Sequence, residues 1–376
     1  ERAQAEINAR LTREIHASGA AGAGVFAIID EWFKKNWLAI DFEQPAERKR
    51  LWLNALDAEQ NYGVIAMRAG HRDSAIVIDG DARDWRDAKP LLESGAPGSV
   101  PSALQLQSLH VKHDEAYVYL RLTTGAIDWT QARYLIGVDT YRGDLGDTRM
   151  PFTNSRTATG LEFVVDLRGP AGSRVLVDSP YNPFRLRAIT GARPPARQMT
   201  LNAPFRTVAN ADGRFDSALV IPNRRRIGRD GTFYAEQVHD RGALTYARQQ
   251  ETTLADWYAD AATGTIELRI PWGLLNVLDP SSRHVLFGQT TTKYPSGATT
   301  DGFRFYVESY DPRNPAVPGD RLPKSAQGTF TNAPLWTWPT WEAPRWYAEV
   351  KPLFAAMRDA FSAIPRSGEP RPSLAR

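Results

Sequence analysis

Two adjacent carboxylates, Asp30 and Glu31, follow a short apolar run and are the first residues along the chain that could do chemistry. Residues 24–29, Gly-Val-Phe-Ala-Ile-Ile, predict a strand buried on both faces. At the end of such a strand, one carboxylate could contact a substrate or belong to the pair of acids that a glycosidase needs. Neighbouring side chains on a strand point in opposite directions, so the two are not expected to form that pair together. The alternative is structural, with either acid capping a short amphipathic helix predicted for residues 32–40.

Four tryptophans are candidate sugar-binding platforms, because a flat indole face can pack on the apolar face of a pyranose ring. Trp32 follows the two carboxylates, whereas Trp336, Trp338 and Trp341 lie in a Trp- and Pro-rich segment, residues 334–347. The alternative for the last three is that they pack this segment against the rest of the protein. The sequence leaves both uses open.

A loop beginning at Asp139 reads Asp-Thr-Tyr-Arg-Gly-Asp-Leu-Gly-Asp and also contains Asp144 and Asp147. Carboxylates in a glycine-containing loop suit calcium, which takes oxygen ligands, although the spacing differs from that of an EF-hand. Asp and Gly also favour turns for conformational reasons alone. Calcium is therefore the candidate cofactor, and a plain turn is the alternative.

The first 70 residues predict an α/β segment. Ala3, Ile7, Leu11 and Ile15 recur every four residues and predict a helix over residues 1–18 with one apolar stripe. A glycine-containing loop and the predicted buried strand follow. Helix, loop and buried strand in this order are typical of an α/β fold.

After the first 75 residues, short β-rich runs alternate with turn residues. Tyr117, Tyr119 and Arg121 alternate with apolar residues such as Val118, which predicts half-buried antiparallel strands. Many short strands indicate a β-sandwich or a barrel. Residues 185–260 are polar and weakly patterned, and predict an insertion with a few irregular strands. Strands are predicted near residues 75–79, 104–112, 116–123, 134–139, 161–166, 174–178, 265–270, 284–288 and 303–309.

The C-terminal residues 347–364 predict a closing helix, followed by a polar tail at residues 365–376. The apolar face of the helix would consist of Val350, Leu353, Met357 and Phe361.

Composition narrows the class of protein. The chain has 376 residues, 42% of them hydrophobic, with a formal net charge of +3. The charge is small for this length and the densest basic cluster, residues 224–229, lies in a polar loop, so no nucleic-acid partner is predicted. The absence of cysteine excludes disulfides and Cys-ligated metals. No apolar run is long enough to span a membrane. Because the chain begins at Glu1, we expect a fragment or a processed product.

Four motifs occur in order within residues 75–310. They are Ile-Asp-Gly-Asp-Ala-Arg-Asp-Trp at 78–85, Asp-Glu-Ala-Tyr-Val-Tyr-Leu at 114–120, Ile-Gly-Val-Asp-Thr at 136–140 and Thr-Gly-Thr-Ile-Glu-Leu-Arg-Ile-Pro-Trp at 263–272. Together they resemble family-nine carbohydrate-binding modules and their DOMON-like relatives. The resemblance implies a β-sandwich that commonly binds sugars, sometimes with structural calcium. Some DOMON-like relatives bind haem instead, for which His110 and His113 are the closest histidine pair here.

The run from Gly24 to Lys34, with Asp-Glu-Trp after its apolar stretch, resembles the eighth strand of TIM-barrel glycosidases. This resemblance covers only about residues 1–65. It implies that the rest of a barrel lies upstream in the gene or on another chain.

The sequence therefore predicts a mainly β chain in three parts: an α/β, TIM-barrel-type fragment at 1–70, an antiparallel β-sandwich at 75–330, and a Trp-rich segment with a closing helix at 331–376. The leading hypothesis is the C-terminal part of an exported glycosidase-like or polysaccharide-handling protein, located outside the cell, at its surface or in the periplasm. Its sandwich would bind glycan or brace the barrel. A non-catalytic assembly module is the second hypothesis, and a haem-binding module is the third.

Overall fold

The computed structural model describes residues 1–34, 51–95, 99–201, 205–288, 296–326 and 328–365. Within these ranges the protein is mainly β, as the sequence predicts. Two α-helices are described, α1 (Arg2–Ala17) and α2 (Pro352–Ser362).

Sheet I has five antiparallel strands. They are β2 (Leu92–Glu93), β3 (Leu106–His113), β4 (Tyr117–Thr124), β18 (Trp257–Asp260) and β19 (Thr265–Pro271). Their spatial order is β18–β19–β4–β3–β2.

Sheet II has six antiparallel strands. They are β5 (Arg133–Asp139), β8 (Phe163–Leu167), β9 (Arg174–Asp178), β13 (Phe215–Ser217), β23 (Arg304–Tyr310) and β24 (Pro318–Leu322). Their spatial order is β13–β9–β8–β5–β23–β24.

One hydrophobic core takes side chains from both sheets. Leu120 and Leu268 of sheet I belong to it together with Ile136 and Val165 of sheet II, and all four are fully buried. Successive side chains of a strand point to opposite faces of the sheet, so every second residue of β4 enters this core. Each such side chain stabilises the fold by about 1.5–3 kcal/mol relative to leaving it in water.

Sheet III covers the other face of sheet II and mixes parallel with antiparallel pairs. Its strands are β6 (Gly146–Arg149), β7 (Arg156–Leu161), β12 (Ala209–Asn210), β25 (Ser325–Ala326) and β26 (Thr329–Phe330). A second apolar cluster, with Leu135 and Val164 of sheet II and Leu161 of sheet III, fills the space between them. Sheet II is therefore buried on both faces.

The remaining strands form small sheets of two or three. They are β1 (Ile65–Ala69) with β27 (Trp346–Val350), β10 (Phe184–Ala188) with β11 (Arg197–Leu201), β14 (Leu219–Asn223) with β17 (Gln237–Asp240), β15 (Arg226–Ile227) with β16 (Phe233–Tyr234), and β20 (Val277–Asp279), β21 (His284–Phe287) and β22 (Ser296–Thr299). Five of these strands lie wholly within residues 185–260, where the sequence predicts irregular strands.

The two ends of the chain pack together. Strand β1 pairs antiparallel with β27, and α1 packs on α2 through Ala5, Leu353 and Met357. We call this assembly of residues 1–34, 60–69 and 345–364 the terminal unit. It joins the first predicted part of the chain to the third.

The prediction of a doubly buried strand at residues 24–29 is wrong. This segment contacts β1 through backbone hydrogen bonds and a single bridge between Ile29 and Ile65, but it is not a regular strand. Phe26 and Ile28 are 56% and 72% exposed. An apolar run is buried on both faces only if elements cover both faces, and here the described residues cover one side at most.

Helix α1 exists where predicted, but its buried face is different. Ala5, Ala9 and Thr12 are buried, whereas Ile7 and Leu11 of the predicted stripe are 48% and 42% exposed. The same holds for Ile15. The small alanines allow the two helices to approach closely, which the larger stripe residues would prevent.

The closing helix begins later than predicted. Residues 346–350 form β27, because they pair with β1, and α2 starts at Pro352. Leu353 and Met357 are buried as expected, whereas Val350 and Phe361 are exposed.

One further predicted strand is absent, and one predicted helix lies mostly outside the described residues. Residues 75–79 contain no strand and follow a short 3-10 helix at Arg72–Ser74. The helix predicted for 32–40 begins with a turn at 32–33, and its remainder from residue 35 lies outside the described residues, as does the tail from residue 366.

Candidate functional site

A cavity of about 590 Å³ lies between the outer face of sheet I and the terminal unit. Its volume falls within the range of small-molecule sites. Sheet I supplies Tyr117, Tyr119 and Arg269, and the terminal unit supplies Trp32 and Tyr347. Residues 55–61 and two segments, 239–244 and 249–256, complete the wall.

Strand alternation places the sheet I residues on the cavity side. Arg269 of β19 is the register partner of Tyr119 on β4, and Pro271 is the partner of Tyr117. The intervening residues, such as Val118, point into the core between the sheets. The polar side chains therefore face away from the core and line the cavity.

Asp114 lies at the start of the hairpin that leads into β4. Its Oδ1 accepts hydrogen bonds from the backbone nitrogens of Ala116 and Tyr117 at 2.7 and 2.8 Å, and its Oδ2 accepts one from the Tyr119 hydroxyl at 2.7 Å. Burial raises the pKa of Asp114 to about 6, although these hydrogen bonds lower it. Burial also raises the pKa of Tyr119 well above its usual value, so this hydroxyl is a donor at neutral pH.

Arg269 is the buried cation of the cavity wall, with an exposed fraction of 8%. Its guanidinium carbon lies 4.7 Å from the centre of the Tyr117 ring, and its Nη2 donates to the carbonyl of Thr253 at 2.7 Å. Its Nε is buried without a hydrogen-bond partner.

The terminal unit closes the opposite side. Arg68 of β1 forms ion pairs with Glu1 at 2.6 Å and Glu349 at 2.9 Å, so its charge is already balanced. The Tyr347 ring of β27 packs under the guanidinium of Arg72 at 4.7 Å. These contacts hold β1 and β27 in place beside the cavity.

A third wall, from residues 239–244 and 249–256, carries further charged groups. Asp256 accepts a hydrogen bond from the backbone nitrogen of Thr245 at 2.8 Å, and burial raises its pKa. Arg241 donates to the carbonyl of Leu56 at 3.5 Å, and burial lowers its pKa. The cavity thus contains cations, carboxylates and aromatic rings together.

The predicted catalytic residues Asp30 and Glu31 lie outside the cavity lining. Asp30 is 1% exposed, and its Oδ1 accepts from the Lys351 ammonium at 2.5 Å and from the backbone nitrogen of Gly63 at 3.0 Å. Burial raises the pKa of Asp30, and Lys351 opposes this rise. Glu31 forms an ion pair with Lys34 at 2.5 Å. The contacts of Asp30 tie the two ends of the chain together, and a catalytic role for either acid stays a prediction.

Trp32 is the predicted sugar platform that lines the cavity, although most of its ring is buried against Leu53, Ala55 and Ala116. Its exposed fraction is 7%, so only a small part of the indole reaches the cavity.

The C-terminal tryptophans form a separate aromatic cluster. Trp338 is 2% exposed, packs on Trp272 at 4.6 Å between ring centres, and donates its indole N–H to the carbonyl of Pro280. It offers no open face to a sugar. Trp336 and Trp341 are partly buried, and Trp341 stacks on His113 at 6.1 Å. Trp338 is thus fully used in packing, whereas Trp336 and Trp341 retain exposed surface, and a sugar-binding role for these tryptophans stays a prediction.

The carboxylates of the predicted calcium loop are engaged separately. Asp139 is buried and pairs with Arg304 at 3.4 Å, whereas Asp144 is exposed and pairs with Arg142 at 2.6 Å. Asp147 is buried and accepts from the backbone nitrogens of residues 149 and 213. Among the described residues, no group of three or more His, Asp or Glu is arranged to hold a metal ion.

The two histidines of the haem hypothesis are not brought together. His110 packs edge-on against Trp85, and His113 packs among Trp272 and Trp341. They are three residues apart on β3 and therefore point to opposite faces of sheet I. Haem binding stays a prediction that an absorption spectrum tests.

Two of the motifs that carry the family resemblance contact each other. The Glu267 carboxylate on β19 accepts hydrogen bonds from the backbone nitrogens of Asp79 and Gly80 at 3.2 and 2.8 Å. Gly80 has φ +86°, and a Cβ there would come within 2.9 Å of the Asp260 Cβ, so glycine is required. Burial raises the pKa of Glu267 to about 7. The contact holds residues 79–80 against β19 on the outer face of sheet I.

No known family model matches the chain, and no curated protein is significantly similar to it. The resemblance to carbohydrate-binding modules and the resemblance to a barrel strand therefore stay predictions. None of the helices described here has the length and apolar character required to cross a membrane.

The cavity is a site that the sequence alone did not reveal. Its wall combines residues from several separate segments, with Trp32 and Tyr347 at opposite ends of the chain. A partial signal was present, because Tyr117 and Tyr119 occupy the outward positions of a strand whose other face is apolar. Large aromatic residues on an outward face indicate that something covers or binds that face.

Proposed function

We propose that the chain binds a carbohydrate in the cavity between sheet I and the terminal unit. The observation that supports this most strongly is the convergence of aromatic rings with carboxylate, guanidinium and amide groups in one cavity of about 590 Å³. A sugar ring offers apolar C–H faces and hydroxyl groups, so it requires both kinds of contact. Tyr117, Tyr347 and the edge of Trp32 would pack on the ring, and Asp114 and Asp256 would accept from hydroxyls.

The wider proposal is an exported, polysaccharide-handling protein in which this chain forms the sugar-binding part. A β-sandwich of the carbohydrate-binding type agrees with a core shared by two antiparallel sheets. The barrel-type fragment belongs to the proposal only through the sequence resemblance of residues 24–34, because β1 pairs antiparallel with β27 whereas the strands of such a barrel are parallel. Fold analogy alone does not establish function, so the cavity chemistry carries the argument.

A non-catalytic assembly module is the second candidate, and exposed apolar side chains of the terminal unit favour it. These residues are Ile7, Leu11, Ile15, Phe26, Ile28, Trp346, Val350, Phe354 and Phe361. Contiguous apolar surface on a folded protein marks an interaction site. In this case the terminal unit would contact another protein, and the cavity would remain empty.

A binding screen separates the two candidates. The purified chain is tested against a glycan array, with and without calcium, as the wild type and as Tyr347→Ala. The matched control is Trp346→Ala, because Trp346 is adjacent on β27, is 49% exposed and does not line the cavity. Glycan binding that falls for Tyr347→Ala and persists for Trp346→Ala supports the cavity. A folded wild-type protein that binds no glycan overturns the proposal in favour of the assembly module.

A further inference from the structure

We infer that the ligand of the cavity carries a carboxylate, as a uronic acid does, and that Arg269 binds this group. The inference rests on the proposed carbohydrate function and adds the charge of the sugar. It follows from the position, burial and unused donors of Arg269.

Arg269 is fixed on a rigid element and aimed at the cavity. It lies on β19, which is hydrogen-bonded on both sides, by β4 and by β18, and every residue of β19 is buried. The ring of Tyr117 supports its guanidinium from one side at 4.7 Å. Such a side chain needs little reordering when a ligand binds, which favours affinity.

The guanidinium has more donors than the protein satisfies. It carries five N–H donors, and the hydrogen bond from Nη2 to the Thr253 carbonyl is the one that the described residues provide. The Nε has no partner at all. A buried polar group without a partner costs free energy, so it is normally explained by a ligand or by ordered water.

The other buried cation of the described chain shows the contrast. Lys351, at 2% exposed, is neutralised by direct contact with Asp30. Arg269 has no ion pair with any carboxylate of the described residues, and Asp114 and Asp256 act on it only at longer range. Because a buried charge is normally paired, the missing partner of Arg269 is expected to come from the ligand.

The chemistry of the missing partner follows from the geometry of the donor. A planar guanidinium binds a planar carboxylate through two parallel hydrogen bonds, which a single hydroxyl cannot provide. A uronic acid combines this carboxylate with the apolar ring face that Tyr117 and Tyr347 would contact. It therefore satisfies both the charge and the aromatic surface of the cavity.

The test compares free acids with their neutral esters. Calorimetry measures the binding of tri-galacturonate, tri-mannuronate and tri-glucuronate to the wild-type chain, each beside its methyl ester and beside neutral trisaccharides. We expect at least one free acid to bind roughly tenfold more tightly than its ester, as a charge-assisted bidentate contact predicts. Arg269→Met should abolish this preference, and Arg269→Lys should reduce it.

The matched control is Arg248→Met. Arg248 also lies over a tyrosine ring, Tyr258 at 4.8 Å, but it is exposed and does not line the cavity. This variant should keep the preference for the free acid. Thermal unfolding of each variant shows whether it is folded, and the comparison of acid with ester on the wild-type chain needs no variant.

The outcomes separate the inference from the function on which it rests. Equal binding of acids and esters, or binding of neutral sugars alone, overturns the inference and leaves the carbohydrate function standing. A preference for the acid that survives in folded Arg269→Met overturns the assignment to Arg269. Absence of binding to every sugar overturns the proposed function and the inference with it.

Discussion

Asp30 and Lys351 are separated by 321 residues in sequence and form a buried ion pair at 2.5 Å. Both side chains are 1% exposed. The Lys351 ammonium also donates to the carbonyl of Asn61 at 3.1 Å, and Asp30 accepts from the backbone nitrogen of Gly63. This pair joins the segment after α1 to the residue before α2, so it holds the terminal unit together beside the cavity.

Replacement of Lys351 by Met is expected to destabilise the protein by about 3–5 kcal/mol, because Asp30 would be left buried without a partner. Urea unfolding measures the change in the free energy of unfolding. The control is Arg358→Met, which removes an exposed pair with Asp359 and should cost at most about 1 kcal/mol. The double variant Asp30→Asn with Lys351→Met should be more stable than Lys351→Met. A Lys351→Met variant as stable as wild type would contradict this account of the pair.

Asp178 is expected to make the protein less stable as the pH rises. Burial, together with the nearby Asp147, Asp212 and Asp216, raises the pKa of Asp178 to about 8, although Asn210 opposes the rise. The unfolded chain has a value near 3.9, so the folded state holds the proton more tightly. The resulting stabilisation is complete below about pH 4 and is lost as the pH rises through about 8.

Thermal unfolding at pH 5 and pH 8.5 measures this dependence. Asp178→Asn, which stays neutral, should flatten the loss of stability between the two values. Other carboxylates with raised pKa values, such as Glu267, act in the same direction, so part of the pH dependence of stability should persist in Asp178→Asn. A slope that does not change in Asp178→Asn would show that this group is not the cause.

Trp338→Ala is expected to lower the free energy of unfolding by about 3–5 kcal/mol, because it leaves a cavity beside Trp272 and Phe303. Trp346→Ala, which truncates a half-exposed ring, should cost less, about 1–2 kcal/mol. Trp338→Phe keeps most of the packing and should bind glycan as the wild type does. Loss of glycan binding in a stable Trp338→Phe variant would show that Trp338 takes part in glycan binding.

Calcium is expected to have little effect on stability. Arg304 and Arg142 already neutralise Asp139 and Asp144, and a cation would have to displace them. Thermal unfolding in calcium and in a chelator should therefore give the same midpoint within error. A clear rise in the midpoint with calcium, lost in Asp147→Asn, would establish the cation site that the loop sequence suggests.

The strands of the two large sheets were predictable from the sequence. The apolar residues Val118, Leu120 and Leu122 alternate with outward-facing residues. This alternation requires only that one face of the strand is buried. The predicted runs at 134–139, 174–178 and 265–270 also became strands of these sheets. The local sequence pattern is sufficient to predict a strand where neighbouring strands pair with it on both sides.

The terminal unit was harder to predict, because its elements are defined by distant partners. The apolar stripe of α1 suggested the buried face, yet the close approach of α2 selected Ala5 and Ala9 instead. Residues 347–350 belong to the predicted closing helix, and pairing with β1 made them a strand instead. Neither outcome depends on local propensity, so a single sequence does not reveal it.

The cavity could not be derived from any one motif. Trp32 is a candidate from its residue type alone, but Tyr347 and Arg269 acquire a role only when the chain ends fold onto sheet I. The wall takes carboxylates from separate segments of the chain, at Asp57, Asp114, Asp240 and Asp256. Sites assembled from separate segments require the fold before their chemistry becomes visible.

The measurement that tests the central claim most directly is a calorimetric titration of the wild-type chain with the strongest ligand of the glycan array, repeated with Tyr347→Ala and Trp346→Ala. We predict binding to the wild type, a loss of about fivefold to thirtyfold in Tyr347→Ala since one ring contact contributes about 1–2 kcal/mol, and no change in Trp346→Ala. A wild-type chain that is folded and binds no glycan, or equal binding in Tyr347→Ala, would contradict a carbohydrate site in this cavity.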